Sequence, residues 1–143
     1  MIDAFAPRLD ILPEPQRRLW DDLAATPEAF VLYGSTAIAL HLGHRQSVDF
    51  GFVGSRPFDP ERLAEEIPLM AGAVITQRGP STLSAIVDRR GPVKISFFAV
   101  HGLPRLTPSH RASGNGLQVA SLLDLAGTKV NERRAVAGRG ERL

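Results

Sequence analysis

The chain contains no cysteine. Disulfides, thiol nucleophiles and thiolate metal sites are therefore excluded. It also lacks any apolar run near the ~20 residues that a membrane-crossing helix needs. The start, "MIDAFAPRLD", has no basic stretch followed by an apolar core of the secretory type. These absences lead us to expect a cytoplasmic protein with no membrane contact. Charge of one sign is scarce as well: the net value of +2 is too small to argue for nucleic acid by itself. What excess there is gathers in "NERRAVAGRGERL", where Arg133, Arg134, Arg139 and Arg142 face only Glu132 and Glu141. Residues 131–143 read as a solvated basic tail, with an arm contacting RNA or polyphosphate as the alternative.

What is present suits one folded domain. With 143 residues, 43% of them apolar and 22% charged, the chain has the composition of a globular protein and room for a single core. We assign that core to residues 1–130. "LPEPQRRLWDDLAATPEA" reads as a helix with prolines in its first turn and Leu12, Leu19, Trp20 and Leu23 on one stripe, ended by Pro27. "AFVLYG" is an apolar run without alternation, as in a strand covered on both faces. "STAIALHLG" is a short helix closed by Gly43. "SVDFGFV" alternates, with Val48, Phe50 and Phe52 on one side and Ser47, Asp49 and Gly51 on the other. "FDPERLAEEIPL" is a helix capped by Asp59, with Pro60 at its first position and Leu63 and Ile67 inward. Three strands follow, "GAVITQ", "STLSAIVD" and "GPVKISFFAV", joined by tight turns as an antiparallel meander. Pro104 to Gly116 reads as loop, and "LQVASLLDLAGTKV" as a strand end entering a helix with Ser121 near its start. This order implies an α+β (α/β) fold with a mixed sheet.

The chemistry concentrates at one place. Gly34-Ser35 joins a strand to a helix, where glycine lets a ligand approach the backbone and the first-turn N–H groups attract an anion. Thirteen residues lie between Ser35 and Asp49. Carboxylates at i and i+2 on one strand face, roughly 6–7 Å apart, can grip Mg²⁺ together. Only one stands here, because position 51 is glycine.

This pattern resembles the nucleotidyltransferase superfamily related to DNA polymerase beta, with its Gly-Ser turn, helix and paired-carboxylate strand. More closely, "YGSTAIALHLGHRQSVDFGF" is similar to the AbiEii-type nucleotidyltransferase toxin family, whose members carry a "GGTALALHLGHRxSVDFDFF"-like segment. "VKISFFAV" and "VASLLDLAGTKV" look like later segments of that family, so the resemblance spans about residues 30–130. It implies a minimal nucleotidyltransferase fold with helices packed mainly on one side of the sheet. It further implies nucleotidyl transfer from an NTP to a nucleic-acid or protein acceptor, in a toxin–antitoxin or phage-defence setting with a cognate antitoxin. Carried over, the resemblance makes Asp49 the catalytic and metal residue, and Gly34, Ser35 and Lys129 the nucleotide-binding residues. Lys129 stands where the family has the lysine of its "DLAxxK" segment.

The departures fall where the chemistry is. Gly51 occupies the position of the family's second metal carboxylate, and Ser96 the outward strand position that would suit a third. A two-metal site is excluded on this reading, while one weakly held Mg²⁺ at Asp49 is conceivable. Transfer should be impaired, leaving a degenerate member or, alternatively, a non-catalytic nucleotide-binding or oligomeric interaction domain. The chain looks shortened beyond "DLAGTKV", which would leave apolar surface free for a homo-oligomer or a partner.

Other candidates have plainer readings. His41 and His44, at i and i+3, could share a metal but lack a third ligand and fit surface or capping roles. His101 and His110 fall in loop sequence. Lys94 shares a strand face with Ser96, and phosphate contact there competes with simple solvation. Asp88 belongs to a hairpin turn. Asp124 reads as an outward helix residue.

Overall fold

The computed structural model describes residues 4–100, 109–122 and 124–125. The first helix, α1, spans Glu14–Trp20 and tightens into a 3-10 turn at Asp21–Ala25. Leu12, Leu19, Trp20 and Leu23 are all buried, so the expected stripe holds across that change of pitch. Strand β2, Phe30–Tyr33, is buried at every residue. Helix α2, Gly34–Leu42, follows at once and ends on Gly43 at φ +63°, the left-handed C-cap that only glycine adopts without strain. Strand β3 is Phe50–Gly54 and helix α3 is Pro60–Glu66, where the Asp59 carboxylate accepts from Glu61 N at 3.1 Å. The meander is β4, Val74–Gly79, β5, Thr82–Asp88, and β6, Pro92–Ala99. At the β5–β6 turn Gly91 N donates to Asp88 Oδ1 at 2.9 Å, as the sequence suggests.

Ala4–Phe5 forms β1, His110–Ala112 forms β7 inside the segment expected to be loop, and Gln118–Val119 forms β8. Two of these three further short strands, β1 and β7, carry no signal in the sequence, while β8 is the strand end expected before the last helix. Together the eight strands make one mixed sheet in the order β1-β7-β8-β2-β3-β6-β5-β4. Neighbours β3 and β6 run parallel, as do β2 and β8, and β2 and β3 run antiparallel.

The register gives the sheet two unlike faces. One carries Phe50, Phe52, Leu83, Ala85, Val87, Val93, Ile95 and Phe97, all buried. Helix α1 meets it through Trp20 against Phe50, ring centroids 6.4 Å apart, and the approach to α3 meets it through Phe58 edge-on to Phe30 at 5.3 Å. Phe97 is at its centre, stacked on Phe52 at 5.1 Å and edge-on to Phe30 at 5.2 Å. Over β4, β5 and β6 the other face is more open. Val74, Ile86 and Lys94 form one row across these strands, and all three are exposed. Lys129, His101 and the tail 131–143 lie outside the described residues.

Candidate functional site

The strand β3 begins at Phe50, three residues later than the alternation from Ser47 implies. Val48 and Asp49 precede the ladder, and Val48 is 45% exposed rather than sharing the buried side of Phe50. The cause is a set of polar ties that draws Ser47 inward. Ser47 N donates to Ile11 O at 3.3 Å, and its hydroxyl lies 2.7 Å from Thr36 Oγ1. Thr36 Oγ1 also donates to Asp49 O. From α1, Gln16 Nε2 donates to Val48 O at 3.1 Å. Thr36 and Gln16 are buried, so these bonds form away from water, where an unmade partner is costly. They hold the backbone of 47–49 and leave the Asp49 side chain exposed to solvent. Neither Thr36 nor Gln16 was singled out in the sequence. A polar residue on an otherwise apolar helix face is the signal that would have found them.

Replacing Thr36 by valine keeps the shape and removes both bonds. It should cost about 1–3 kcal/mol through the stranded Ser47 hydroxyl and Asp49 carbonyl. A urea titration measures this; a midpoint equal to that of the unsubstituted protein would remove Thr36 from the account.

Beside this segment stands the strand-to-helix turn. Gly34 is exposed at φ +86°, so an L side chain would be strained there, and Ser35 is half-buried. Tyr33 pairs with Gly51 and Gly51 with Ser96, which places the turn, the vacant i+2 position and the Ser96 position in one continuous row. Ser96 is buried, and its Oγ accepts from Ser84 Oγ at 3.0 Å. Lys94, two residues before Ser96 on the same face of β6, is exposed, and Asp49 immediately precedes the first paired position, Phe50 with Ile95. A Cβ at Gly51 would meet nothing nearer than Tyr33 O at 4.0 Å, so the missing side chain is not excluded by space.

Helix entry after β8 is at the same end of the sheet. Leu32 pairs with Val119 in parallel register and Ala120 N donates to Leu32 O at 3.0 Å. Ser121 caps the following turn, with Asp124 N donating to Ser121 Oγ at 3.1 Å. Asp124 is only 4% exposed, contrary to the outward placement expected from sequence. Packing of the post-β8 segment against the sheet, a long-range effect, turns that carboxylate inward.

The histidines do not pair as a metal site. His41 Nε2 is 2.9 Å from Ala120 O, and its ring stacks on Phe5 at 4.4 Å and meets His110 edge-on at 5.6 Å. His44 is exposed. His110 belongs to β7 instead of a loop. Among the described residues no group of three or more His, Cys, Asp or Glu side chains converges to hold a metal ion.

Burial holds the His41 imidazole below its ordinary range. The Ala120 carbonyl opposes this and the neighbouring His110 adds to it. A histidine kept neutral in the fold contributes stability that is complete above the unfolded value near pH 6.5 and is lost as pH falls below it. The melting temperature should thus drop between pH 7.5 and 5.5, and His41→Gln should flatten the drop; an unaltered slope would contradict the assignment.

A cavity of about 180 Å³ lined by Glu28, Phe30, Arg111 and Gln118 opens at the far end of β2 from Gly34 and takes no part in this arrangement. No described helix is long and apolar enough to cross a membrane.

Two crystal structures from Helicobacter pylori share the fold: one of a protein proposed to be a nucleotidyltransferase, the other of JHP933. Each aligns at TM-score 0.52 and 20% identity over 82% of this chain. The chain spans about half of their lengths, 55% and 53%. A search of curated proteins gives no match. Residues 18–130 match the family described as "Nucleotidyl transferase AbiEii toxin, Type IV TA system". With most of its length matched, and the Gly-Ser turn and Asp49 inside the match, the chain belongs to the AbiEii nucleotidyltransferase family.

Proposed function

We propose that this chain binds a nucleoside triphosphate at the β2–α2 turn and that its nucleotidyl transfer is impaired. The observation that carries the reading is the Tyr33–Gly51–Ser96 row, which sets the Gly34-Ser35 turn beside two positions without a carboxylate. Gly34 and Ser35 offer backbone N–H groups and a hydroxyl to the phosphates, and the first turn of α2 adds its partial positive charge. Lys94, exposed on the face that carries Ser96, supplies a cation two residues along β6 from that row. Lys129, the family-position lysine, is the second candidate cation. A Mg²⁺ ion, when bound, would be held by Asp49 together with the phosphates and would lend charge neutralisation.

Phosphoryl transfer depends on positioning and on neutralising the charge that develops on the phosphate. Asp49 alone serves that second need poorly, so the chain keeps the nucleotide better than it reacts it. The acceptor is an RNA or a protein, and a cognate antitoxin is the partner that the family description implies. The test is transfer of labelled nucleotide from each NTP to RNA and protein acceptors. Slow transfer abolished by Asp49→Ala supports the site, whereas transfer unchanged by that substitution overturns it.

A further inference from the structure

We propose that Phe98 is the platform on which the base of the bound nucleotide stacks. This rests on the nucleotide reading above and adds where the base goes.

Alternation along β6 sends Phe97 into the core and Phe98 to the opposite face. Phe97 is wholly buried, while Phe98 is 38% exposed. The face it joins is the one that carries the proposed phosphate site: Val53 pairs with Phe98 as Gly51 pairs with Ser96. On its other side stands Thr82, and beyond that Gly79. Both are small, and a Cβ at Gly79 would meet nothing within 4 Å, so little rises beside the ring. Among the positions that β4, β5 and β6 present to this face, Phe98 is the one aromatic residue.

The spacing suits one extended ligand. Phe98 is four residues along β6 from Lys94, about 13 Å at strand rise, and two residues from Ser96, about 7 Å. Phosphates beside Lys94 would leave the sugar over the half-buried Gly51 position, which has no side chain. The base then reaches the Phe98 ring. Lys94 complements the phosphate charge at one end, and an exposed aromatic face complements the π-surface at the other. Stacking accepts every base, with the larger purines favoured, so the site takes nucleoside triphosphates as a class.

The test titrates ATP and inorganic tripolyphosphate separately into the full chain and into Phe98→Ala and Phe98→Trp. Loss of the ring should weaken ATP by about 5- to 150-fold and leave tripolyphosphate unchanged. Phe98→Trp should retain ATP, and its new indole emission should be quenched on binding. Equal ATP affinity in the unsubstituted protein and Phe98→Ala would overturn the proposal. So would parallel weakening of ATP and tripolyphosphate, because the ring would then act on the phosphate cradle. A dimer broken by Phe98→Ala at unchanged ATP affinity would assign this face to a second copy and also overturn it. Failure of both ligands to bind the unsubstituted chain would instead remove the nucleotide reading itself. Tripolyphosphate binding without any preference for ATP would remove only the base platform.

Discussion

Gly51→Asp should strengthen Mg²⁺ binding at the proposed site and raise nucleotidyl transfer. The substitution places a carboxylate two residues from Asp49, and the Gly51–Ser96 pairing keeps it in the proposed nucleotide row. Gly51 does not have a positive φ, and the nearest atom to a new Cβ is Tyr33 O at 4.0 Å, so the backbone and the space both accept it. A second carboxylate adds charge and geometry to the grip on Mg²⁺, effects worth several kcal/mol in transition-state charge stabilisation. We expect nucleotidyl transfer to rise on the order of 100-fold, since each 1.36 kcal/mol is tenfold in rate. Mn²⁺ binding followed by electron paramagnetic resonance, alongside the transfer assay, reads both parts. No gain in either would mean that the site lacks more than this one side chain.

Phe97→Ala should produce the largest loss of stability. The ring is fully buried between Phe52 and Phe30, and its removal leaves a cavity at the centre of the helix-covered face. Such truncations cost about 3–5 kcal/mol, a large part of the 5–15 kcal/mol that holds a domain together. The neighbouring Phe98→Ala should cost far less, about 1 kcal/mol, because part of its ring is in water in the folded chain. Urea midpoints of the two variants check this directly. Comparable destabilisation by both would contradict the assignment of the two rings to opposite faces.

The parts legible in the sequence are those fixed by local rules. The run from Phe30 to Gly43 announces itself by an apolar strand, a glycine turn and a glycine cap. The meander is legible from Asp88 and Gly91 at its turn and from alternation along β5 and β6. Strands β1 and β7 have two and three residues and exist through pairing with other short segments, so no periodicity marks them, whereas β8 is the strand end read before the last helix. The same limit hid the register of β3. Its alternation includes Val48, yet Thr36 and Ile11 draw Ser47 inward and leave Val48 outside. Asp124 carries no local sign of burial either, because the packing that encloses it is tertiary. In the candidate site, Gly34, Ser35 and Asp49 stand out by motif spacing, and the family resemblance marks Gly51 and Ser96 as positions without the expected carboxylate. The hydrogen bonds of Thr36 and Gln16 that hold Asp49 required the fold.

The central claim is that the phosphate cradle persists where the metal grip is reduced to Asp49. Equilibrium titration of the unsubstituted chain with NTP, in Mg²⁺ and again in EDTA, tests it most directly. The account predicts saturable binding that chelation weakens only a few-fold, since one carboxylate shares its ion with the phosphates. Absence of saturable binding at millimolar nucleotide would contradict the cradle, and a loss beyond roughly a hundredfold on chelation would contradict the depleted metal site.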